Sequence, residues 1–511
     1  MSYNWLEHRI PWHKALVHRA FIECDTVYQT QLSELTSDLN QYHGVSWTSV
    51  QYEKLFGYWL RSFIHQLFDR WHGSGVGKPT RVSWESHPNV DLLDYSSYSM
   101  SDLLNESLYW QLSAIANRGS LGQVPIPNQL SFSTSFRVTG SSNDLIQIHS
   151  PYHSYGIPKW RRHLPLNGFP RRLRSLASPI VIHPEPATTC QVDSFWRLSR
   201  SQLSVSDFPE ACGVLVRLHF PAIALEGFES MRNAASQYPS RFLYTAAAHG
   251  GPFMYLAAEW HEEAQLLVHQ HGGGYGIDSR NLSEDHERAI SDCFFTWGWS
   301  EDTGTRALPV PHRIRCQVPE RRSGILLKCA NYPRYASKLQ FQEMAGNNQT
   351  LIDRTIRFAS ALVQQGLEIS YYPQDYGWNV HQQFVTADVN LAERSKKDGH
   401  YALLTFNYLG TAWLESLAAD MPTVCFYDPE IYEFRKAAIP FIKELQHVGI
   451  LHESPDSASD MVLSIQSEPL KWWKSEEVQN ARLAFIQQYA RLDDDWLEAW
   501  TEEFARITNS N

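Results

Sequence analysis

Residues 269–276 read His-Gln-His-Gly-Gly-Gly-Tyr-Gly, a stretch of the 511-residue chain that packing alone explains poorly. Glycine gives up the most backbone freedom on folding and adds no side chain to a core. Gly272, Gly273 and Gly274, set between His271 and Tyr275, therefore point to a backbone that something must approach closely. Leu266-Leu267-Val268 just before them reads as a strand. It would deliver His271 to the strand's C-terminal end, the edge at which open α/β sheets bind ligands. Glycines there admit φ > 0 and let successive N–H groups form an anion-binding nest, with Tyr275 as a further contact of the loop. A histidine at the rim can accept a proton near neutral pH and serve as a general base. The competing reading is a tight structural turn.

A second group follows the strand Tyr401–Phe406. Asn407-Tyr408-Leu409-Gly410-Thr411 leads into a helix over Ala412–Ala419, Met421-Pro422 ends it, and Thr423–Tyr427 is the next strand. A strand, a small-residue turn and a helix N-terminus make a phosphate site, because free N–H groups and the helix dipole face the anion together. Thr411 adds a hydroxyl donor. Glu415 lies one turn along the same face, where a carboxylate can bridge the two hydroxyls of a ribose. Asn407 and Gly410 complete the proposed nucleotide contacts, and Arg435 is placed to neutralise a diphosphate in place of a metal. Their bland counterparts are an N-cap at Thr411, a surface charge at Glu415 and a surface salt bridge at Arg435.

Other residues could also carry chemistry. His249-Gly250-Gly251-Pro252 and Glu259-Trp260-His261-Glu262-Glu263 offer Glu259 and His261 as further acid/base candidates beside the cleft. Ile180-Val181-Ile182-His183-Pro184 ends a strand with a His-Pro pair. Two near-motifs fail. Gly73–Thr80 looks like a phosphate loop, but Pro79 stands where Ser or Thr would hold magnesium, and His261-Glu262 has no second histidine at the spacing of a zinc-protease helix. Asp493-Asp494-Asp495 reads as a solvated, charged stretch rather than a metal-binding motif, and no bound metal or cofactor is expected.

The elements that must position these residues follow from texture. Residues 1–72 are dense in aromatics, and apolar positions over Leu55–Phe68 repeat at three and four residues, an amphipathic helix. Residues 73–310 begin with long Ser-, Pro-, Gly- and Arg-rich loops and pass, from about 179, into short apolar strands alternating with helices. Residues 311–475 continue that alternation, the signature of parallel α/β sheets. A last helix over 476–511 is expected to pack back on the first half. The fold class is thus α/β, two Rossmann-like domains with an added N-terminal aromatic-rich helical region.

Composition bounds the rest. Hydrophobic residues make up 43% and charged residues 19%, normal for a soluble globular protein. A formal net charge of -11 argues against a nucleic-acid binder. Local basic clusters at 159–163 and 171–174 could meet phosphates or a membrane surface, or be solvated loop charge. The start, MSYNWLEHRIPWHK, lacks the apolar core of a signal peptide. The 7 cysteines form no CxxC pair, which fits a reducing compartment. A cytoplasmic protein, with peripheral contact to the inner face of the plasma membrane, is the expectation.

The layout resembles GT-B glycosyltransferases, and more narrowly the LIC12162 family of bacterial surface-carbohydrate transferases. The stretches that carry the resemblance are the QHGGGYG loop, Thr296-Trp297-Gly298-Trp299, Asp375-Tyr376-Gly377-Trp378, the 405–435 segment ending Asp428–Arg435, Gly449–Pro455, and Trp472-Trp473 with Val478–Arg482. The 405–435 segment is also similar in layout to CDP-glycerol glycerophosphotransferases, whose histidine-glycine loop His271-Gly272 matches by position. Gly410-Thr411 replaces their paired serines, and Gly-Gly-Gly replaces Gly-Thr-Pro. The His183-Pro184 pair is similar to one in CMP-sugar transferases, which implies His183 as a phosphate or donor contact. The resemblance implies a metal-independent glycosyltransferase that takes a nucleotide-activated sugar, cytidine-linked and of the ulosonic-acid type, to a surface polysaccharide or lipid-linked glycan. Alternatives are a polyol-phosphate transferase using a CDP-polyol, a nucleotide-sugar 2-epimerase and a non-catalytic glycan-binding partner.

Overall fold

The computed structural model describes residues 10–73, 99–149, 175–311, 323–371 and 376–509, apart from 123, 125, 141–143, 302, 331–332, 343, 366, 390–391 and 394–397. The discarded loop pattern at Gly73–Thr80 and the basic clusters at 159–163 and 171–174 fall almost wholly outside these residues.

Two six-stranded, all-parallel sheets organise the chain. The first contains β1 (Ile146–His149), β2 (Ala177–Pro179), β3 (Phe242–Thr245), β4 (Gln265–His269), β5 (Cys293–Thr296) and β6 (Thr305–Ala307), in the order β6-β5-β4-β3-β1-β2. The second contains β7 (Ile325–Cys329), β8 (Leu367–Tyr371), β9 (Ala392–Glu393), β10 (Leu403–Phe406), β11 (Thr423–Phe426) and β12 (Leu451–His452), in the order β9-β8-β7-β10-β11-β12. In each sheet the order of strands reverses once, between β1 and β3 and between β7 and β10. Such switch points open a crevice at the C-terminal strand ends. The molecule is therefore α/β with two Rossmann-like halves.

Parallel sheets need both faces covered, and the alternating side chains show how this one achieves it. Phe242, Tyr244, Leu267 and Phe295 face one way, where they pack with Trp500, Phe504 and Ile507. Leu243, Leu266, Val268 and Phe294 face the other way, into the main core. Residues 476–511, read as one helix, hold two: Glu476–Tyr489, and a final helix at Trp496–Asn509. Asp493-Asp494-Asp495 is exposed in the turn between them.

At the N-terminus, α1 (Lys14–His43) and α2 (Ser49–Gly73) pack side by side. The periodicity of 55–68 suggests one wet face, yet α2 is buried almost all round, with Lys54, His65, Gln66 and Arg70 each 2% exposed or less. The reason is its position between the halves. The Gln66 side chain donates to the carbonyl of Ser337, Arg70 to that of Ala336 and to Asn105 Oδ1, and the Leu339 N–H donates to His65 Nδ1 at 3.3 Å. These bonds satisfy polar groups that burial would otherwise penalise.

Burial, reinforced by Arg280, Arg61 and Lys338, pushes the His65 imidazole down from 6.5 to about 3. Its folded-state pKa lies below the unfolded value, so the unfolded chain takes up the proton first. Stability is full above pH 6.5 and declines as the pH falls toward 3, by about 2–3 kcal/mol from this residue at pH 4.5. Unfolding midpoints measured across pH 4–7 should fall more steeply for the native chain than for His65→Gln. Equal slopes would show that His65 is not the group responsible.

Candidate active site at the seam between the two halves

The His-Gln-His loop begins where expected, at the C-terminal end of β4. Gln270 anchors it. Its side-chain oxygen accepts from the Trp297 backbone N–H at 3.0 Å and from Trp299 Nε1 at 2.9 Å, and its amide donates to the Gly272 carbonyl at 2.9 Å. Trp297 Nε1 donates to His269 Nε2 at 2.9 Å. The Trp-Gly-Trp motif thus works as scaffolding beneath the loop rather than as a stacking surface.

The glycines answer to steric need more than to a nest. Of the three, only Gly274 has positive φ, at 110°, and a Cβ there would lie 2.7 Å from Asp278 Oδ2. A Cβ on Gly273 would lie 3.0 Å from both Cα and N of Thr411 and 3.1 Å from the Gly410 carbonyl carbon. The loop is pressed against the N-terminus of α5 (Thr411–Ala418) in the other half. There the Gly273 N–H donates to Thr411 Oγ1 at 2.9 Å. The expected nest is corrected accordingly, since one of its N–H groups is already used by protein. A Cβ on Gly272 would meet only Thr411 Oγ1 and the Tyr275 ring, at ordinary contact distances of 3.6 and 3.8 Å. Gly273→Ala should force the seam apart, because every close atom is backbone, and cost about 1–3 kcal/mol in thermal unfolding. A variant as stable as the native chain would mean the seam yields freely.

Beneath the loop lies a buried polar cluster supplied by α4 (Leu282–Ile290). Glu287 is fully buried. Its Oε2 accepts from the Tyr275 hydroxyl at 2.9 Å, and its Oε1 lies 3.4 Å from His271 Nδ1 and 3.0 Å from His249 Nε2. The Ala248 N–H donates to the same Oε1 at 3.3 Å. The Tyr275 hydroxyl also sits 3.1 Å from His271 Nδ1. Tyr275, expected to touch a ligand, instead points inward as the link between His271 and Glu287. Burial raises Glu287, against the opposing effect of His271 and the hydrogen bonds it accepts. Burial, with Lys338 nearby, lowers His249, and its ring stacks on Tyr58 at 4.0 Å.

His249 follows β3 at the switch point of the first sheet, so it shares the C-terminal edge with His271. Glu259 and His261 do not. The helix α3 (Pro252–Glu259) runs back along the sheet and ends where β4 begins, which leaves both at the opposite edge. There Glu259 pairs with Arg232 at 2.8 Å and His261 meets Lys54 Nζ at 2.9 Å. They are excluded from the site. His183 is displaced too. Val181–Pro184 pairs antiparallel with Phe136–Thr139 in a two-stranded ribbon, so the His-Pro pair does not end a parallel strand, and the ring lies 3.4 Å from Thr139 Oγ1.

On the facing wall, α5 has Gly410 as its N-cap and no side-chain cap hydrogen bond, so its N-cap residue satisfies none of the first-turn N–H groups. Gly410 is required by the Tyr408 ring, 2.5 Å from where a Cβ would be. Thr411 accepts from Gly273 and keeps its own hydroxyl hydrogen to donate. Glu415 is partly buried one turn further on. Asn407 does not fit its expected role. It is 1% exposed, accepts from the Ala330 N–H at 2.9 Å and donates to Thr355 Oγ1 at 2.8 Å. It laces the ends of β7 and β10 across the switch point, beside the side chains of Cys329, Ile352, Val380 and Phe384.

Arg435 is likewise committed. Its guanidinium bonds Glu284 at 2.8 Å and Glu301 at 3.0 Å, both in the first half. Its backbone joins a strap across the seam: Arg435 N–H to the Ile277 carbonyl and Ser279 N–H to the Glu433 carbonyl, each 2.8 Å, around an antiparallel bridge between Asp278 and Phe434. Glu433 also accepts from Ser279 Oγ at 3.0 Å and meets His18 of α1 at 2.6 Å. The diphosphate role is corrected to that of an interdomain clamp.

A model of the LIC12162 family of transferases matches residues 166–504. The chain belongs to the LIC12162 transferase family. Its match spans the second sheet, every strand of the first except β1, the triglycine loop and α5. Among solved structures, this LIC12162-family transferase is similar to a TarM variant of S. aureus in complex with fondaparinux, alpha-GlcNAc-glycerol and UDP, at 14% identity and TM-score 0.34, over 51% of this chain and 55% of that one. It is also similar to MurG of Acinetobacter baumannii, at 11% identity and TM-score 0.33, over 56% and 79% of the two chains. The LIC12162-family chain thus spans about half the length of the TarM variant. No curated protein matches it. Among the described residues, no helix is long and apolar enough to cross a membrane.

Proposed function

We propose that this transferase moves a glycosyl unit from a nucleotide-activated donor to a hydroxyl of a glycan or lipid-linked acceptor. The observation that carries the reading is the Gly273–Thr411 contact. It sets the His271 loop and the uncapped start of α5 face to face, one on each wall of a single seam. The α5 N-terminus and the Thr411 hydroxyl take the phosphate, and Glu415 the ribose. His271 accepts the proton of the acceptor hydroxyl as it attacks the anomeric carbon, while Tyr275 and Glu287 orient the imidazole and stabilise its protonated form. The departing phosphate keeps the bonding electron pair and is held by the helix N–H groups. The donor wall needs no metal in this scheme. The finer assignment, a cytidine-linked donor of the ulosonic-acid type, rests on the resemblance in the 405–435 segment.

The test is thermal unfolding of chelator-treated protein against CMP, CDP, UDP, GDP and dTDP. A nucleotide at a hundred times its Kd adds about 2.7 kcal/mol. A cytidine nucleotide should stabilise the chain, and Thr411→Val and Glu415→Ala should each abolish the gain. Stabilisation by UDP alone would overturn the cytidine assignment, and none by any nucleotide would overturn the donor site. Turnover of a UDP-sugar without acceptor would make the protein an epimerase.

A further inference from the structure

We infer that His249, His271 and Glu287 form a binding site for a divalent transition-metal ion on the acceptor wall of the seam. The inference stands apart from the transferase reading, because it concerns binding and needs neither donor nor acceptor.

Three ligand atoms converge from three separate elements: His249 Nε2 from the loop after β3, His271 Nδ1 from the loop after β4, and a Glu287 carboxylate oxygen from α4. Glu287 Oε1 lies 3.0 Å from the first and 3.4 Å from the second, and the three side chains each offer a ligand atom within 4.8 Å of the other two. A tetrahedral zinc ion with bonds of about 2.0–2.1 Å holds its ligand atoms roughly 3.3 Å apart. The spacing therefore suits a shared ion with little movement.

The chemistry agrees. Two imidazoles and one carboxylate are the donor set of open sites for zinc, manganese, iron or cobalt, which leave positions for water or substrate, whereas closed structural zinc sites favour four ligands rich in thiolate. The supporting contacts are also in place. Tyr275 holds the second carboxylate oxygen, and Tyr58 stacks flat on His249 with an interplanar angle of 11°. Such outer contacts orient ligands before an ion arrives. A further observation points the same way. His249 Nε2 is sealed from solvent and, although close to Glu287, makes no well-directed hydrogen bond. Buried polar atoms are seldom left so. The side chain that carries it remains 30% exposed, so an ion has a route in.

An ion here gives His271 a second role. Empty, the cluster presents an imidazole; loaded, it commits the Nδ1 that Tyr275 otherwise reaches. The cation site lies on the acceptor wall and leaves α5 untouched.

The experiment is Co²⁺ titration of the full chain after chelator treatment and dialysis, followed by visible absorption, then displacement by Zn²⁺. One equivalent should bind with the bands of a low-symmetry nitrogen–oxygen site. His249→Ala and Glu287→Gln should each weaken binding roughly a hundredfold or more, since even outer contacts are worth ten- to a hundredfold. His261→Ala, at the far edge of the sheet, should bind as the native chain does. Because Glu287 is buried and its variant could misfold, His249→Ala, with unchanged circular dichroism, decides the matter. The inference is overturned by no stoichiometric binding at micromolar metal, by full binding in His249→Ala, or by equal loss in His261→Ala. Nucleotide stabilisation of the chelated protein is read separately, so either conclusion can fail without the other.

Discussion

Trp500→Ala is expected to lower the unfolding free energy by about 3–5 kcal/mol, the range for emptying a large buried aromatic site. Trp500 is fully buried on α6 (Trp496–Asn509). Its ring packs against Phe295 and His269 at 5.2 Å and against Tyr244 at 6.1 Å, and its Nε1 donates to the Pro309 carbonyl at 2.9 Å. Alanine would leave that carbonyl unpaired and open a cavity over the centre of the first sheet. α6 covers this face, and His269 of β4, which it touches, leads directly into the His271 loop. Denaturant titration followed by circular dichroism measures the effect. A loss below about 1 kcal/mol would mean the helix is not seated there in solution.

The second large effect is on turnover. If His271 is the base, Glu287→Gln should lower kcat by roughly 10²–10³-fold, within the range a general base contributes, with KM for the donor little changed. A glutamine keeps the shape and a hydrogen bond to Tyr275, but it loses the charge that favours a protonated His271. Tyr275→Phe, which removes only the linking hydroxyl, should cost less, on the order of tenfold. Both residues act through His271, so kcat should move while nucleotide stabilisation stays. A rise in donor KM with kcat intact would instead tie the cluster to the donor wall and undo the assignment.

The frame was legible because its signals are local. Leu266-Leu267-Val268, Gly324–Leu327 and Thr423–Tyr427 are short apolar runs between helix signals, and each became a buried parallel strand. The facing loops were legible from glycine and hydroxyl residues next to strand ends. What misled was position along the chain. Glu259 and His261 stand close to His271 in sequence, but α3 folds back on the sheet and carries them to its other edge. Ile180–Pro184 has the composition of a sheet strand, and nothing local tells an antiparallel ribbon from a parallel edge.

Glu284 and Glu287 were missed for the opposite reason. Charged residues three apart in a helix ordinarily mark its wet face, yet both are fully buried. Glu284 accepts from the Gly276 N–H at 2.8 Å and holds Arg435, while Glu287 gathers two histidines and a tyrosine. Their partners come from β3, β4 and the second half, and no spacing along one element could have announced them. Asn407 and Arg435 had the right types for ligand work but were drawn into holding the frame.

The strap of Ile277–Ser279 on Glu433–Arg435 has a thermodynamic consequence for catalysis. Two walls that swing freely must be immobilised each time substrates arrive, and that ordering subtracts from affinity. Here backbone pairing, together with the Arg435 and Glu433 clamps, fixes their separation when the chain folds. Association should therefore proceed as to a rigid body, with the radius of gyration in solution scattering unchanged between free and nucleotide-saturated protein.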